Sequence, residues 1–261
     1  MNTLLPGIIV FVFGAVIGSF INAVRYRLPR HVSVAAGRSK CPKCKTTIAW
    51  YDNVPILSYL FLRGRCRSCG WRIPATYLII EAATGLSFVL IWRTFGWPDT
   101  VAYWVLASLL IACAGIDFDK RIIPDKLTIP GIILGIAFSA TLLREDGPAA
   151  SLLSSALGII VGGGSLLAVG LFYKLVRKVE GMGGGDVKLM AMVGAFLGFK
   201  LALLTIFLGS LLGGIVGLIV MHRTSQGMRA SVPFGVFLSP AAIVSMLWGN
   251  ELISAYLSLL R

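Results

Sequence analysis

The stretch Gly181-Met182-Gly183-Gly184-Gly185-Asp186, with Lys188 just beyond it, organises the interpretation of this sequence. Three consecutive glycines lead into an aspartate, and an apolar run follows over residues 187–199. Glycine lets another backbone approach closely, and an aspartate at the edge of a membrane is costly and usually functional. Two structural alternatives are open at this point: Asp186 caps the next helix, or the glycines are only a flexible connector.

The composition identifies the chain as a polytopic membrane protein. Of its 261 residues, 57% are hydrophobic, and the mean hydropathy is +0.85, well above the values of soluble domains. The apolar stretches predict an all-α fold with about eight transmembrane helices, at residues 4–23, 77–93, 100–116, 127–143, 151–173, 187–199, 201–221 and 233–259. The sixth stretch is too short to cross unaided, so it is either tilted into the protein interior or merged with its neighbour.

The basic residues predict the topology and the domain organisation. The net charge is +13, and 20 of the 24 Lys and Arg residues fall in loops on one side, 11 of them in residues 25–76. Positive loops stay in the cytoplasm, so the N-terminus is expected outside and the large loop inside. The basic excess then reflects topology rather than nucleic-acid binding. The expected domains are a first transmembrane helix (1–24), a cytoplasmic module (25–76) and a transmembrane core (77–261).

Two CxxC pairs in the cytoplasmic module predict a zinc site. Cys41 and Cys44 form the first pair, and Cys66 and Cys69 form the second, 21 residues later. Four thiolates in this arrangement are typical of tetrahedral zinc, whereas a cytoplasmic location argues against disulfides. The module has little apolar sequence for a core of its own, so a structural metal would supply much of its folding energy. Cys113 lies within the third predicted span and is expected to be a buried apolar residue.

Acidic residues mark the membrane boundary on the same side. Glu81 lies about one turn inside the second span, either as a helix-paired carboxylate or as a functional group. Asp117, Asp119 and Asp125 lie at the end of the third span and the start of the fourth. Asp125 follows a proline and precedes an apolar run, so it is expected to cap the fourth span.

Asp117 and Asp186 together predict an acid–base pair. Asp117 and Asp119 point to nearly opposite sides if helical, and Asp117 continues the apolar helix directly, so Asp117 is chosen as the inward residue. Two carboxylates at one depth, sharing a proton, are the requirement of an aspartic protease. Gly183, Gly184 and Gly185 would then admit an unwound substrate backbone beside them. The spacing alone does not prove this chemistry.

Taken together, these motifs resemble those of a known family, the type IV prepilin peptidases. These are the bifunctional leader peptidases and N-methyltransferases of type IV pilus and type II secretion systems. The resemblance covers essentially the whole chain. It is carried by Gly18-Ser19-Phe20-Ile21-Asn22, Tyr26-Arg27-Leu28-Pro29, both CxxC pairs, Asp117 with Ile123-Pro124-Asp125, and Gly183-Gly184-Gly185-Asp186 with Lys188.

The resemblance implies a function, a set of site residues and a location. It implies cleavage of prepilin or pseudopilin leaders by Asp117 and Asp186, at the cytoplasmic face of the bacterial inner membrane. It further implies methylation of the new N-terminal residue with S-adenosylmethionine as donor, and it links Glu81 to that step. Lys188 is expected to bind substrate or to shape the site.

Two other classes of protein remain as alternatives. A proton-coupled transporter would also use intramembrane carboxylates, but these tend to lie near mid-membrane with inverted repeats, and the pair here lies at one face. A membrane anchor that presents a zinc module to nucleic acid would use the basic charge of residues 25–76. It would leave Asp117 and Asp186 without a role, and the module has few aromatic residues for base stacking.

Overall fold

The structure is a computed structural model. It describes residues 4–34, 37–143, 147–178, 183–223 and 233–259. Gly181 and Met182, from the stretch quoted above, therefore lie outside the described residues. Two short 3₁₀ turns lie at Leu28–Arg30 and Trp50–Asn53. The α-helices are α1 (Leu4–Arg27), α2 (Leu57–Phe61), α3 (Thr76–Thr94), α4 (Asp99–Lys120), α5 (Asp125–Thr141), α6 (Pro148–Arg177), α7 (Gly184–Arg223) and α8 (Gly235–Leu259).

The chain divides into two compact units, Met1–Gly96 and Trp97–Arg261. In unit 1, α1 packs along α3. Two glycines of α1 make this contact close: a Cβ on Gly18 would lie 2.7 Å from the Cα of Glu81, and one on Gly14 would lie 2.8 Å from the Cα of Gly85. The domain boundaries expected from the sequence placed the second span in the transmembrane core (77–261). In the structure this span is α3, and it packs with α1 in the same unit as the intervening loop.

Unit 2 is organised around α7. The first half of this helix packs on α5 and α6, and the second half packs on α8. Gly194 of α7 and Gly158 of α6 face each other so closely that a Cβ on either would collide with the carbonyl of the other. Small residues permit this approach where apolar burial gives no driving force between helices in lipid. The first half of α7 is also the buried core of the unit, because Met190 and Met192 are fully inaccessible.

The helical path of α7 is interrupted at Gly198, where φ is 73° and ψ is 178°. A Cβ on Gly162 of α6 would lie 2.6 Å from the Met190 carbonyl oxygen and 3.3 Å from the Cβ of Ala202. Met190 and Ala202 therefore lie side by side, whereas twelve residues of straight helix would separate them by about 18 Å. The chain must reverse direction at Gly198, and only glycine adopts that positive φ without strain.

This reversal explains how the predicted spans relate to the observed helices. Each of the eight predicted stretches lies in a helix and extends beyond it by at most two residues, and the sixth and seventh are the two halves of α7. Within the described residues, six helices are long and apolar enough to cross a membrane when α7 is taken as one helix. The remaining predicted span is α5, which has 17 residues. The all-helical, multi-pass fold is thus confirmed, and the short sixth span adjoins the seventh through a turn.

Candidate active site and metal centre

Asp117 lies in the last turn of α4 with its carboxylate directed into unit 2. The residue is 5% exposed, whereas Asp119, two positions on, is exposed. The N-terminus of α8 faces this carboxylate, and the backbone N–H groups of Gly235 and Val236 interact with it. Its Oδ2 atom is buried and has no hydrogen-bond partner among the described residues. One oxygen of Asp117 therefore has hydrogen-bonding capacity that no described residue uses.

Asp186 approaches Asp117 from the first turn of α7. It is partly buried, its backbone N–H donates to the carbonyl oxygen of Gly183 at 3.1 Å, and its carboxylate interacts electrostatically with that of Asp117. A carboxylate in the first turn of a helix is favourably placed against the helix dipole. The structure thus brings together the two acids that the sequence analysis paired, although 69 residues separate them in the chain.

Ile123 forms a wall that both halves of this site share. A Cβ on Gly185, next to Asp186, would lie 2.9 Å from the Cβ of Ile123. A Cβ on Gly235 would lie 2.8 Å from Ile123 Cδ1 and 2.9 Å from Asp117 Oδ2. Real Cβ atoms do not make contacts this short, so both positions require glycine for close approach. The connection from Gly185 through Ile123 to Gly235 fixes where Asp186 and Asp117 lie relative to one another.

Lys188 and Asp125 form an ion pair beside this wall. The ammonium of Lys188 lies 2.7 Å from each carboxylate oxygen of Asp125, and both side chains are exposed to solvent. The expectation that Asp125 caps the fourth span is wrong. Helix α5 begins at Asp125 itself, and its cap position is Pro124, which forms no side-chain cap. Asp125 instead ties the start of α5 to the start of α7.

Two residues of this site were not identified from the sequence. Gly235 carried no signal beyond its position after Pro233-Phe234, at the start of the last span. Ile123 belonged to a motif of the resemblance but had no assigned role. The roles of both residues can be seen only in the tertiary contacts of the folded chain. Of the three site glycines, Gly185 touches Ile123, whereas Gly183 and Gly184 are exposed.

The four cysteines of unit 1 converge on one point. Their sulfur atoms all lie within 4.8 Å of one another, with Cys41 to Cys69 at 3.9 Å and Cys44 to Cys66 at 4.0 Å. Four thiolates at about 2.3 Å from a tetrahedral zinc ion would be separated by about 3.8 Å. The cluster is therefore compatible with a metal ion, and its four ligands would complete the coordination shell.

The two CxxC loops have the same backbone hydrogen bonds. The N–H of Cys41 donates to the Thr46 carbonyl at 3.0 Å, and the N–H of Cys66 donates to the Trp71 carbonyl at 2.8 Å. Hydrogen bonds from Thr46 lower the pKa of the Cys44 thiol to about 6. The thiolate is the form that binds a metal, so this loop favours the ligating form of Cys44, whereas burial raises the pKa of the Cys69 thiol to about 11.

A cavity of about 640 Å³ lies between the CxxC loops and the adjoining ends of α1 and α3. Its walls include aromatic rings, two acids and an amide, which are Tyr51, Tyr59, Trp71, Tyr77, Asp52, Glu81 and Asn22. Its volume is within the range of small-molecule sites. Asp52 is held by Arg67 through two hydrogen bonds of 2.6 and 2.8 Å, and this guanidinium lowers the pKa of the carboxyl group.

Glu81 closes one side of this cavity. It is buried, and its Oε2 accepts a hydrogen bond of 2.8 Å from the backbone N–H of Ile56. Asn22 of α1 lies nearby and donates to the carbonyl of Tyr77 at 3.0 Å, while its own Oδ1 is buried and unbonded within the described residues. The functional candidate Glu81 is therefore a wall residue of this cavity in unit 1.

Comparison with known proteins agrees with these two units. Residues 12–95 match a family model described as the bacterial peptidase A24 N-terminal domain, and residues 104–218 match the type IV leader peptidase family. The first match corresponds closely to unit 1, and the second contains both aspartates. No solved structure matches the chain.

Curated relatives cover nearly the whole chain. A protein of Pseudomonas putida is 34% identical over 95% of this chain and 93% of its own length. A protein of Aeromonas salmonicida (strain A449) is 33% identical over 96% of this chain and 93% of its own length. A protein of Neisseria gonorrhoeae is 37% identical over 83% of this chain and 82% of its own length. Each of these relatives is named prepilin leader peptidase/N-methyltransferase.

Proposed function

Since this chain belongs to the type IV leader peptidase family, we propose that it is a membrane aspartic endopeptidase. It cleaves the leader peptide of type IV prepilins or type II secretion pseudopilins, with Asp117 and Asp186 as the catalytic pair. The observation that carries this proposal is the convergence of these two acids at the ends of α4 and α7, around Ile123. No observation favours the alternative of a proton-coupled transporter.

The geometry supports an acid–base mechanism. In aspartic proteases two carboxylates share one proton, so one activates a water molecule as a base while the other acts as an acid. The water loses a proton to the base as it attacks the scissile carbonyl carbon, and the acid protonates the carbonyl oxygen. When the C–N bond breaks, the base passes its proton to the leaving amine and a hydroxyl of the tetrahedral intermediate returns a proton to the acid, which restores the pair. Contacts from the N-terminus of α8 hold Asp117 for this step, and its buried Oδ2 has no hydrogen-bond partner among the described residues.

The glycines beside Asp186 are proposed to admit the substrate. A Cβ on Gly184 would meet no described residue within 4 Å, which supports room for a peptide backbone on this side of the site. Lys188 is engaged by Asp125, which favours a site-shaping role over a direct contact with substrate. The distribution of basic loops further supports a location in the bacterial inner membrane, with this site at the cytoplasmic face.

We infer that unit 1 carries the second activity, methylation of the new N-terminal residue. Zinc bound by Cys41, Cys44, Cys66 and Cys69 would be structural, because four thiolates leave no open catalytic position. S-adenosylmethionine combines an aromatic base with a cationic sulfonium. The cavity offers aromatic rings for the first and the carboxylate of Glu81 for the second, so its residues fit this donor.

When bound, S-adenosylmethionine would supply the methyl group. The residues of the chain would orient the substrate amine and accept the proton that the amine loses. Glu81 is the candidate for that contact, because its carboxylate lies at the end of α3 facing the cavity.

One experiment tests both activities. The purified protein in proteoliposomes is incubated with a prepilin and S-adenosylmethionine, and the new N-terminus is analysed by mass spectrometry. Loss of the leader together with the mass of one methyl group is expected. Asp186→Asn should block cleavage, and the exposed Asp119→Asn is the matched control that retains it. An unprocessed prepilin with the wild-type protein, or normal processing by Asp186→Asn, would contradict the proposal.

A further inference from the structure

A short segment of unit 1 carries apolar side chains without a partner in the described part of the chain. It comprises residues 54–61, with α2 at its end, and we name it the interfacial segment. Leu57, Leu60 and Phe61 are 54%, 58% and 84% exposed. Their spacing of three and four residues puts them on one side of α2. The preceding 3₁₀ turn adds Trp50, which is 77% exposed.

The contact with Glu81 fixes the depth of this segment. Helix α3 has 19 residues and is therefore about 28 Å long, barely the thickness of the hydrocarbon core of a bilayer, about 30 Å. All of α3 is needed to cross, so its first turns already lie at the membrane boundary. Glu81 is five residues inside α3, about 8 Å from its start, and Ile56 is hydrogen-bonded to it at 2.8 Å. Ile56 and Leu57 hence lie at that depth as well.

Several backbone N–H groups of the segment have partners within the protein, including those of Ile56, Ser58 and Leu60. Polar backbone groups at this depth need partners within the protein. The N–H of Ser58 donates to the Val54 carbonyl at 3.1 Å, and the N–H of Leu60 donates to the Ile56 carbonyl at 3.0 Å. Ile56 itself has a positive φ of 63°, which is rare for a β-branched residue, and its N–H donates to Glu81. Glu81 thus stabilises a strained turn at the start of α2.

The charges that follow the segment match a lipid surface. Arg63 and Arg65 are exposed directly after α2, and Asp52, the only acid among residues 25–76, is paired with Arg67. Bilayers that contain anionic lipids attract such clusters, and aromatic and apolar side chains are buried at the boundary between headgroups and acyl chains.

From these observations we propose that residues 54–61 are inserted into the lipid headgroup and upper acyl-chain region, next to the ends of α1 and α3. The partner of this surface is the phospholipid bilayer itself. The carboxylate of Glu81 then also holds the turn from which α2 enters the lipid. The 640 Å³ cavity opens beside this segment, so the insertion keeps the cavity at the membrane surface. This inference does not depend on the proposed reactions.

Photocrosslinking from lipid tests the insertion. The full-length protein is reconstituted with phosphatidylethanolamine and phosphatidylglycerol, together with a phospholipid that carries a diazirine on its upper acyl chain. After irradiation, lipid adducts are located by mass spectrometry. We expect adducts on residues 57–61 and none above background on residues 40–47 of the first CxxC loop. Equal labelling of the two peptides at background level would overturn the proposal, and this measurement needs no variant.

Variants and substrate distinguish the possible partners. The double substitution Leu60→Glu and Phe61→Glu should remove the adducts from this peptide, with the zinc content unchanged. Thr47→Glu, which adds a carboxylate to the exposed CxxC loop, should leave them unchanged. Glu81→Leu should decrease the adducts relative to the wild-type protein. Glu81→Gln keeps an acceptor oxygen and should therefore give adducts at the wild-type level. If a saturating prepilin protected residues 57–61 from labelling, the surface would be a substrate site, and the proposed lipid partner would be wrong.

Discussion

Substitution of Gly235 by alanine tests the geometry of the site quantitatively. The new Cβ would lie 2.9 Å from Asp117 Oδ2 and 2.8 Å from Ile123 Cδ1, whereas ordinary contacts begin at about 3.5 Å. Asp117 or α8 must therefore move by about half an ångström. A displacement of about 1 Å in an active site can cost 10²-fold in rate. We expect about a tenfold decrease in kcat for leader cleavage, or about 1.4 kcal/mol in activation free energy.

The assay is cleavage of a prepilin in proteoliposomes over a range of substrate concentrations. Gly217→Ala is the matched control, because a Cβ at Gly217 of α7 would meet nothing within 4 Å in the part of the chain that the structure describes, and this variant should retain wild-type kcat. Ile123→Val removes the Cδ1 atom, so its combination with Gly235→Ala should recover part of the lost rate. Wild-type kcat in Gly235→Ala would refute the placement of α8 against Asp117.

Two further predictions concern the metal centre and the ion pair. Substitution of Cys41 and Cys44 by serine should lower the zinc content, measured by elemental analysis, and should decrease methylation more than cleavage, because the aspartates lie in unit 2. Equal loss of both activities would mean that the metal organises the whole enzyme. Lys188→Met and Asp125→Asn should each slow cleavage slightly, with a coupling free energy of about 0.2–1 kcal/mol in a double-mutant cycle, as for exposed ion pairs. A decrease of several orders of magnitude for Lys188→Met alone would indicate a direct role in catalysis.

The fold could largely be predicted from the sequence because hydropathy measures the property that a bilayer selects. All eight apolar stretches are helical. The sequence left open whether the short sixth span is tilted or merged, and the answer depends on Gly198. Its positive φ is a backbone conformation that the pattern of glycines spaced four apart does not distinguish from a packing contact.

The candidate site could be predicted only in part. Asp117 was identified correctly as the inward acid because helical geometry separates it from Asp119. The capping role expected for Asp125 was wrong, since its partner, Lys188, is 63 residues away. Gly235 and the Ile56 turn were not identified, because their roles depend on contacts between distant segments. Local sequence patterns indicate which residue types are available, and the tertiary packing determines which of them meet.

The most direct test of the catalytic pair is the cleavage rate of three variants, Asp117→Asn, Asp186→Asn and the double substitution. Residues that act as one unit have strongly non-additive effects. We predict that each single variant loses roughly 10³-fold or more and that the double variant is no slower than either, with all three folded and inserted in the membrane to the same extent. Substantial cleavage by either single variant, or losses that multiply in the double variant, would contradict a shared-proton pair formed by Asp117 and Asp186.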